Sequence, residues 1–521
     1  MYMGERGNMK EKILSREAFS VLRSGMQSEG KTVVLCHGVF DLLHYGHIEH
    51  LEEAKAQGDI LVVSVTAAKY VNKGPGRPYF SDEQRMHFLA SLECVDYVLL
   101  SEAVTVHDIV RAVRPNVYVK GQEYAKAEDD VTGNIGAEQE IVESYGGHIY
   151  FTNGAVYSST KLLNNFFNAL PEEVVAVSQR LCRKYGEHIV ADVRTMVEDF
   201  AKLHVLVIGD VIIDEYNFCK VQGLTTKDAV MSTRYDYQER YMGGALAIAR
   251  HLGNFAGQVT LLSMIGQERA VAEDLQRHMP DIECQFVQEK HFVTPVKTRF
   301  LRKNVVRDEY EKLFSVNHLL QMQETSKINY TNFYQKLDEL LPQYDLVVVC
   351  DYGHGLLGQE AIERIERQAK YLAVNCQTNS SNYGLNVITK YTRADAFVVD
   401  EKELQIAVRQ VAQGNEAQLT WLQNQMKSHY AWVTEGANGA LGRRADEMVQ
   451  MPAVTLNVKD TVGAGDAFYS LAALAAAGNL PIDIATLLAN VAGAIKTNVI
   501  GNKASVQKVD LLKFLGTVLN V

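Results

Sequence analysis

Short apolar runs recur along this chain, and amphipathic stretches separate them. In the first third the runs fall at residues 32–36, 60–65, 97–100, 117–119 and 148–151. Between them, 48–57 and 81–92 carry helical spacing, and Ser81-Asp82-Glu83-Gln84 has the form of a capping box. Strands that alternate with helices predict a parallel sheet covered on both faces. From 171 to 202 the pattern is amphipathic and helical, without the Gly, Ser and Pro of a flexible linker. Alternation resumes at 204–208 and continues through 345–350, 372–374, 396–399 and 431–434. It ends in helices near 462–477 and 482–498. Residues 216–241 are polar and β-rich, which predicts a small lid sheet outside the main one. The fold class is therefore α/β with two doubly wound sheet domains. The boundaries read as an N-terminal extension (1–30), a first domain (31–168), a helical connector (169–202) and a second domain (203–521).

Composition narrows the choices. A chain of 521 residues exceeds one ordinary core. A net charge of -11 argues against a nucleic-acid binder, which needs clustered Lys and Arg to displace counterions. Residues 1–10 hold charges and no apolar stretch, so no signal peptide is expected. No run reaches the length of a membrane span. Seven scattered cysteines without a CxxC pair read as reduced thiols, which places the protein in the cytoplasm.

Two segments carry chemistry. In the first, the strand at 32–36 runs through His37 and a turn at Gly38 into Phe40, Asp41, His44-Tyr45-Gly46-His47 and a helix. Helix starts bind phosphate because unpaired N–H groups and the dipole point there. Two histidines three apart can donate to oxygens of an α-phosphate and stabilise charge as it builds. Asp41 reads either as a group touching the acceptor or a metal, or as a helix cap. The block resembles the cytidylyltransferase-like nucleotidyltransferases over about 31–165, which implies a Rossmann-like domain. The resemblance assigns transition-state stabilisation to His44 and His47 and places Gly38 and Phe40 at the nucleotide. It makes Lys73 and Arg85 phosphate contacts, although either reads equally well as a surface charge. It also implies Lys120 and Gly121 as a nucleotide-side turn, with Ser159 and Thr160 donating to the β/γ end.

The second segment is Asp460-Thr461-Val462-Gly463-Ala464-Gly465-Asp466 ahead of an Ala-rich helix. Small residues at a helix start leave N–H groups free to cradle a transferring phosphoryl group. Asp466 stands where a base would take the acceptor's proton. From about 203 to 521 the chain resembles the ribokinase/PfkB sugar kinases. That resemblance implies sugar contacts at Asp210, Asp214, Gly243 and Gly244 and a nucleotide turn at Thr434, Gly436 and Gly439. It also implies Mg2+ organised by Asp400 and Glu403. The Asp351-Tyr352-Gly353-His354-Gly355 and 294–299 segments look like the heptose-phosphate kinase branch. The chain departs from the pattern at Leu246-Ala247, where an Asn is usual, at Asn375-Cys376-Gln377, where that branch has Asp-Pro-Lys, and at Asp400, where Asn is common.

Together the resemblances imply a bifunctional sugar-activating enzyme with the heptose enzyme's domain order reversed. One half would phosphorylate a sugar or sugar phosphate with ATP and Mg2+. The other would transfer a nucleotidyl group from ATP or CTP to a sugar phosphate. An ADP-heptose-like product leads and a CDP-sugar or alditol follows. The alternative is a cytidylyltransferase with a ligand-sensing kinase-like half. Expected partners are sugar phosphates and nucleoside triphosphates, with neither nucleic acid nor membrane, and a homodimer formed through the lid.

Overall fold

The computed structural model describes residues 9–71, 77–103, 106–121, 135–152, 170–267, 273, 275, 277–304, 309–320, 322–379, 382–409, 413–454, 458–499 and 501–520. The chain forms two compact units, Met1–Ser178 with Leu512–Val521, and Gln179–Leu511.

The first unit holds a parallel six-stranded sheet: β1 (Ile13–Leu14), β2 (Val33–Gly38), β3 (Ile60–Thr66), β4 (Tyr97–Ser101), β5 (Val117–Lys120) and β6 (His148–Phe151). The strand order is β1-β4-β3-β2-β5-β6. Winding runs one way from β2 to β4 and the other way through β5 and β6. The crevice beyond the carboxyl ends of β2 and β5 is thus the reversal point where α/β sheets receive ligands. The capping box at Ser81 forms and starts the helix Asp82–Ala90. Residues 13–28 add to this unit what the sequence pattern had assigned to an extension. β1 is too short for a periodicity, and the helix Arg16–Ser28 buries Phe19, Arg23 and Met26 at helical spacing. The Arg23 guanidinium reaches the carbonyls of Val113 and Arg114, so a buried charge looks like a surface one in sequence.

The second unit holds a nine-stranded sheet and a four-stranded one. The large sheet comprises β7 (His204–Gly209), β10 (Gln258–Ile265), β11 (Glu283–Gln288), β14 (Leu346–Asp351), β15 (Leu372–Cys376), β16 (Ala396–Asp400), β17 (Tyr430–Thr434), β18 (Ala440–Arg444) and β19 (Glu447–Met451). Its order is β11-β10-β7-β14-β15-β16-β17-β18-β19. All pairs are parallel except the last two. The reversal falls between β7 and β14. The strand interiors are continuous apolar runs, as burial on both faces requires. The lid is larger than residues 216–241: β8 (Val211–Leu224), β9 (Met231–Gly244), β12 (Val296–Asn304) and β13 (Glu309–His318), ordered β13-β12-β8-β9. Leu224, Val230, Met231, Tyr235, Phe314 and Val316 are exposed on it. Among the described residues no helix is long and apolar enough to cross a membrane.

Candidate functional sites

In the first unit, β2 leads through Gly38 and Phe40 into the helix Tyr45–Lys55, whose N-cap is His44. His44 makes no side-chain cap bond, so it does not close the helix start in the usual way. The His44 and His47 rings stack with centroids 4.0 Å apart at 23°. Phe40 meets His47 edge-on at 5.5 Å. It takes a left-handed φ of 48°, a costly backbone for an aromatic residue. Burial lowers the His44 pKa and favours a neutral ring that still donates one N–H. His37 is structural: Nδ1 lies 2.8 Å from Ser64 Oγ, and desolvation pushes its pKa down to about 3. Lys120 ends β5, the strand beside β2, Gly121 follows it, and Lys120 Nζ pairs with Glu138 at 2.7 Å.

Two sequence readings change here. Arg85 is no surface phosphate contact. It is fully buried, and its guanidinium donates to the carbonyls of Phe80 (3.1 Å), Val39 (2.6 Å) and Thr66 (2.9 Å) and pairs with Asp82 (2.5 Å). It ties the floor of the histidine turn to β3 and to its own helix. Asp41 neither caps the helix nor stands open to an acceptor. Its Oδ1 accepts from the backbone N–H of Tyr79 (2.7 Å) and Phe80 (3.1 Å), and Oδ2 pairs with Arg77 (3.2 Å). Lys73, Ser159 and Thr160 lie outside the described residues.

In the second unit the helix Ala464–Ala477 starts at Gly463, whose φ of 80° only glycine adopts readily. A Cβ there would also fall 2.4 Å from Asn502 Oδ1. Ala464, Gly465 and Asp466 form the first turn of the helix. Tyr352 Oη (3.0 Å) and Gln377 Nε2 (3.2 Å) both donate to Asp466 Oδ1. Burial raises the Asp466 pKa, and the two donors counteract it. Gln377 is itself positioned by Asn375 Oδ1 at 2.9 Å, so Asn375 and Gln377 form one polar relay to the carboxylate, while Cys376 faces the core.

Asp210 lies past the end of β7, at the reversal point. Its Oδ2 accepts from the N–H groups of Tyr352 (3.0 Å) and His354 (3.3 Å), while buried Oδ1 has no partner among the described residues. Burial, with Asp351 nearby, pushes its pKa up to about 7. Asp214 pairs with Arg299 at 2.5 Å, and a Cβ on Gly243 would sit 2.3 Å from its Oδ2. Gly244 caps the next helix and packs against the Asp210 carbonyl. Lys297 feels Asp214, Asp210 and Asp466, and burial lowers its pKa. His354 Nε2 is buried and unpartnered among the described residues, and burial holds its pKa near about 4. Tyr352, Gln377, Lys297 and His354 therefore join Asp210, Asp214 and Asp466. Their motif strings were visible in the sequence, but their convergence comes from separate strand ends.

The proposed metal pair is differently employed. Asp400 and Glu403 make a reciprocal capping box for the helix Glu401–Val408, and Glu403 Oε1 also accepts from Thr378 N–H at 3.0 Å. Burial and Asp400 push the Glu403 carboxyl up to about 8. No group of three possible metal ligands occurs among the described residues. Thr434, Gly436 and Gly439 lie together at the turn between β17 and β18, closed by Glu435 N–H to the Gly439 carbonyl at 2.8 Å. A cleft of about 280 Å³ lined by Tyr185, Ile189, Val193 and Ile484 contains none of these residues.

One α/β unit carries the histidine turn past β2 and the other the Asp466 helix start beside Tyr352 and Gln377, which together describe a transferase built of two α/β units. The chain belongs to the pfkB family of carbohydrate kinases, whose family model matches residues 202–508, more than half its length. Residues 35–165 match the cytidylyltransferase-like model, so that domain precedes the kinase domain. Among curated proteins, the chain is similar to the bifunctional protein HldE of Pelobacter propionicus, 37% identical over 140 residues, covering 26% of this chain and 27% of that protein. It is also similar to HldE of Geobacter sulfurreducens, 34% identical over 174 residues, covering 32% and 34%. These matches lie in the N-terminal part, and the chain spans about a third or less of these relatives' length. A solved structure of phosphofructokinase-2 from Escherichia coli in complex with potassium is 15% identical over 61% of this chain and 99% of that chain, with a TM-score of 0.48.

Proposed function

We propose that the protein activates a sugar in two steps, phosphorylation in the second unit and nucleotidyl transfer in the first. The observation that carries this reading is Asp466. It sits in the first turn of a helix whose start is kept small by Gly463, with Oδ1 oriented by two neutral donors. Oδ2 takes the proton of a sugar hydroxyl, whose oxygen attacks the γ-phosphorus of ATP. The bond to the β-bridging oxygen breaks and ADP leaves, while the N–H groups of Gly463 and Gly465 hold the transferring oxygens and that of Ala464 keeps the turn through the Thr461 carbonyl. Mg2+, when bound with the nucleotide, would supply neutralisation of phosphate charge. Asp210 and Asp214 accept from sugar hydroxyls.

In the first unit the phosphate oxygen of a sugar phosphate attacks the α-phosphorus of ATP or CTP, and pyrophosphate leaves. His44 and His47 donate to the α-phosphate oxygens as charge accumulates. The similarity to bifunctional HldE proteins supports an ADP-heptose-like product, with a CDP-activated sugar or alditol second. The exposed apolar residues of the lid support a homodimer.

Asp466→Asn is expected to abolish sugar-dependent ADP formation and spare pyrophosphate release. His47→Ala is expected to do the reverse, lowering turnover on the order of 10²–10³-fold. Pyrophosphate release measured with ATP, CTP, GTP and UTP against a panel of sugar 1-phosphates identifies the nucleotide. If neither substitution alters turnover of any sugar phosphate, the proposal fails. A kinase-like half that only senses ligand would bind a sugar phosphate with no ADP formed.

A further inference from the structure

The helix Ile482–Lys496 is buried along nearly all its length and ends in a lysine that is 1% exposed. A lysine at a helix C-terminus ordinarily lies in water, near the last carbonyls. This one turns inward. Its Nζ donates to the carbonyl of Val462 at 3.1 Å and to that of Gly501 at 2.5 Å. The same two residues are held from their other side by one carboxylate. Asp460 Oδ1 accepts from Val462 N–H at 3.0 Å, and Oδ2 from Gly501 N–H at 2.7 Å. An anion therefore takes both N–H groups and a cation both carbonyls.

Val462 immediately precedes Gly463. A Cβ placed on Gly463 would lie 3.1 Å from Lys496 Cε and 3.4 Å from Nζ, so the lysine directly underlies the turn that starts the Asp466 helix. Burying an ammonium costs several kcal/mol unless its donors and charge are compensated. Filling space alone would be served better by Met or Leu. A buried ammonium under a helix N-terminus adds fixed positive charge where phosphoryl oxygens gather.

We infer that Lys496 is a positioning residue whose ammonium serves as a built-in cation beneath the 463–465 turn, fixing that turn through the Val462 and Gly501 carbonyls for phosphoryl transfer. The inference rests on the kinase reading for its catalytic consequence, but not for the chemistry of the cation's seat. Without the side chain, two carbonyl oxygens and the nearby Asp460 carboxylate line a seat suited to a small alkylammonium ion.

The test uses the full chain. Lys496→Met keeps the volume and removes the charge, while Lys496→Ala opens the seat. Both are expected to lower sugar-dependent kcat about 10²-fold, with pyrophosphate release by the other unit unchanged. Propylammonium is expected to restore turnover of Lys496→Ala and raise its melting temperature. It should do neither for Lys496→Met or the unsubstituted chain, and 1-propanol should do neither for any of them. Full kinase turnover in Lys496→Met would overturn the inference. So would a Lys496→Ala protein whose melting and turnover both ignore propylammonium. If the unsubstituted chain forms no ADP with any sugar, the kinase reading fails, and the melting response alone decides whether the seat is cationic.

Discussion

Asp466 illustrates how a single carboxylate is tuned. Burial raises its pKa, and Tyr352 and Gln377 stabilise the ionised form through hydrogen bonds to Oδ1. A base works only when deprotonated, so kinase kcat/KM is expected to rise with pH through that raised pKa. Tyr352→Phe removes a donor that lowers the pKa and should move the acid limb to higher pH. Gln377→Lys adds a positive charge and should move it lower; a pH–rate profile measures both shifts. Asp210 offers a separate titration. With its pKa near about 7, the carboxylate is mostly neutral at pH 6 and mostly ionised at pH 8. An oxygen that accepts from a sugar hydroxyl binds better ionised, so KM for the sugar is expected to fall as pH rises through about 7. Asp210→Asn should flatten that dependence, and a slope that survives the substitution would assign the titration elsewhere.

At the scale of elements, the alternation of apolar runs with amphipathic stretches placed β2 to β6 in the first unit and β7 and β14 to β17 in the second, but missed β10 and β11. Ser81 and Gln84 announced their capping box directly. What the pattern could not convey was where long polar side chains end. Arg85 and Lys496 have the chemistry of surface residues, and their destinations depend on carbonyls far away in sequence. β1 was invisible because a strand of two residues has no period, and it is defined by pairing with β4 alone. The lid was legible only in part, because β12 and β13 arrive after a long intervening stretch. Arg85 yields a direct test. Arg85→Ala leaves Asp82 and three carbonyls short of a donor and should destabilise the first unit by about 3 kcal/mol in urea unfolding. A change confined to the KM for nucleotide, with no loss of stability, would instead return Arg85 to the phosphates. Gly463→Ala meets both a left-handed φ and Asn502, and is expected to remove kinase turnover while the pyrophosphate assay is unaffected.

At the scale of the molecule, each unit has its own parallel-rich sheet and its own motif at a helix start. This supports two reactions that can be inactivated separately. The units are not, however, two consecutive blocks of sequence. The first compact unit includes Leu512–Val521 as well as everything up to Ser178. Buried Ser178 Oγ donates to the Val518 carbonyl at 2.6 Å, across 340 positions. Removal of residues 512–521 is accordingly expected to lower the melting temperature of the nucleotidyltransferase-like unit, although the deleted segment follows the kinase match. During synthesis domains tend to form in the order in which they emerge. Here the earlier-made unit must wait, with the surface around Ser178 uncovered, until the ribosome has translated the whole kinase and delivered the segment that completes it.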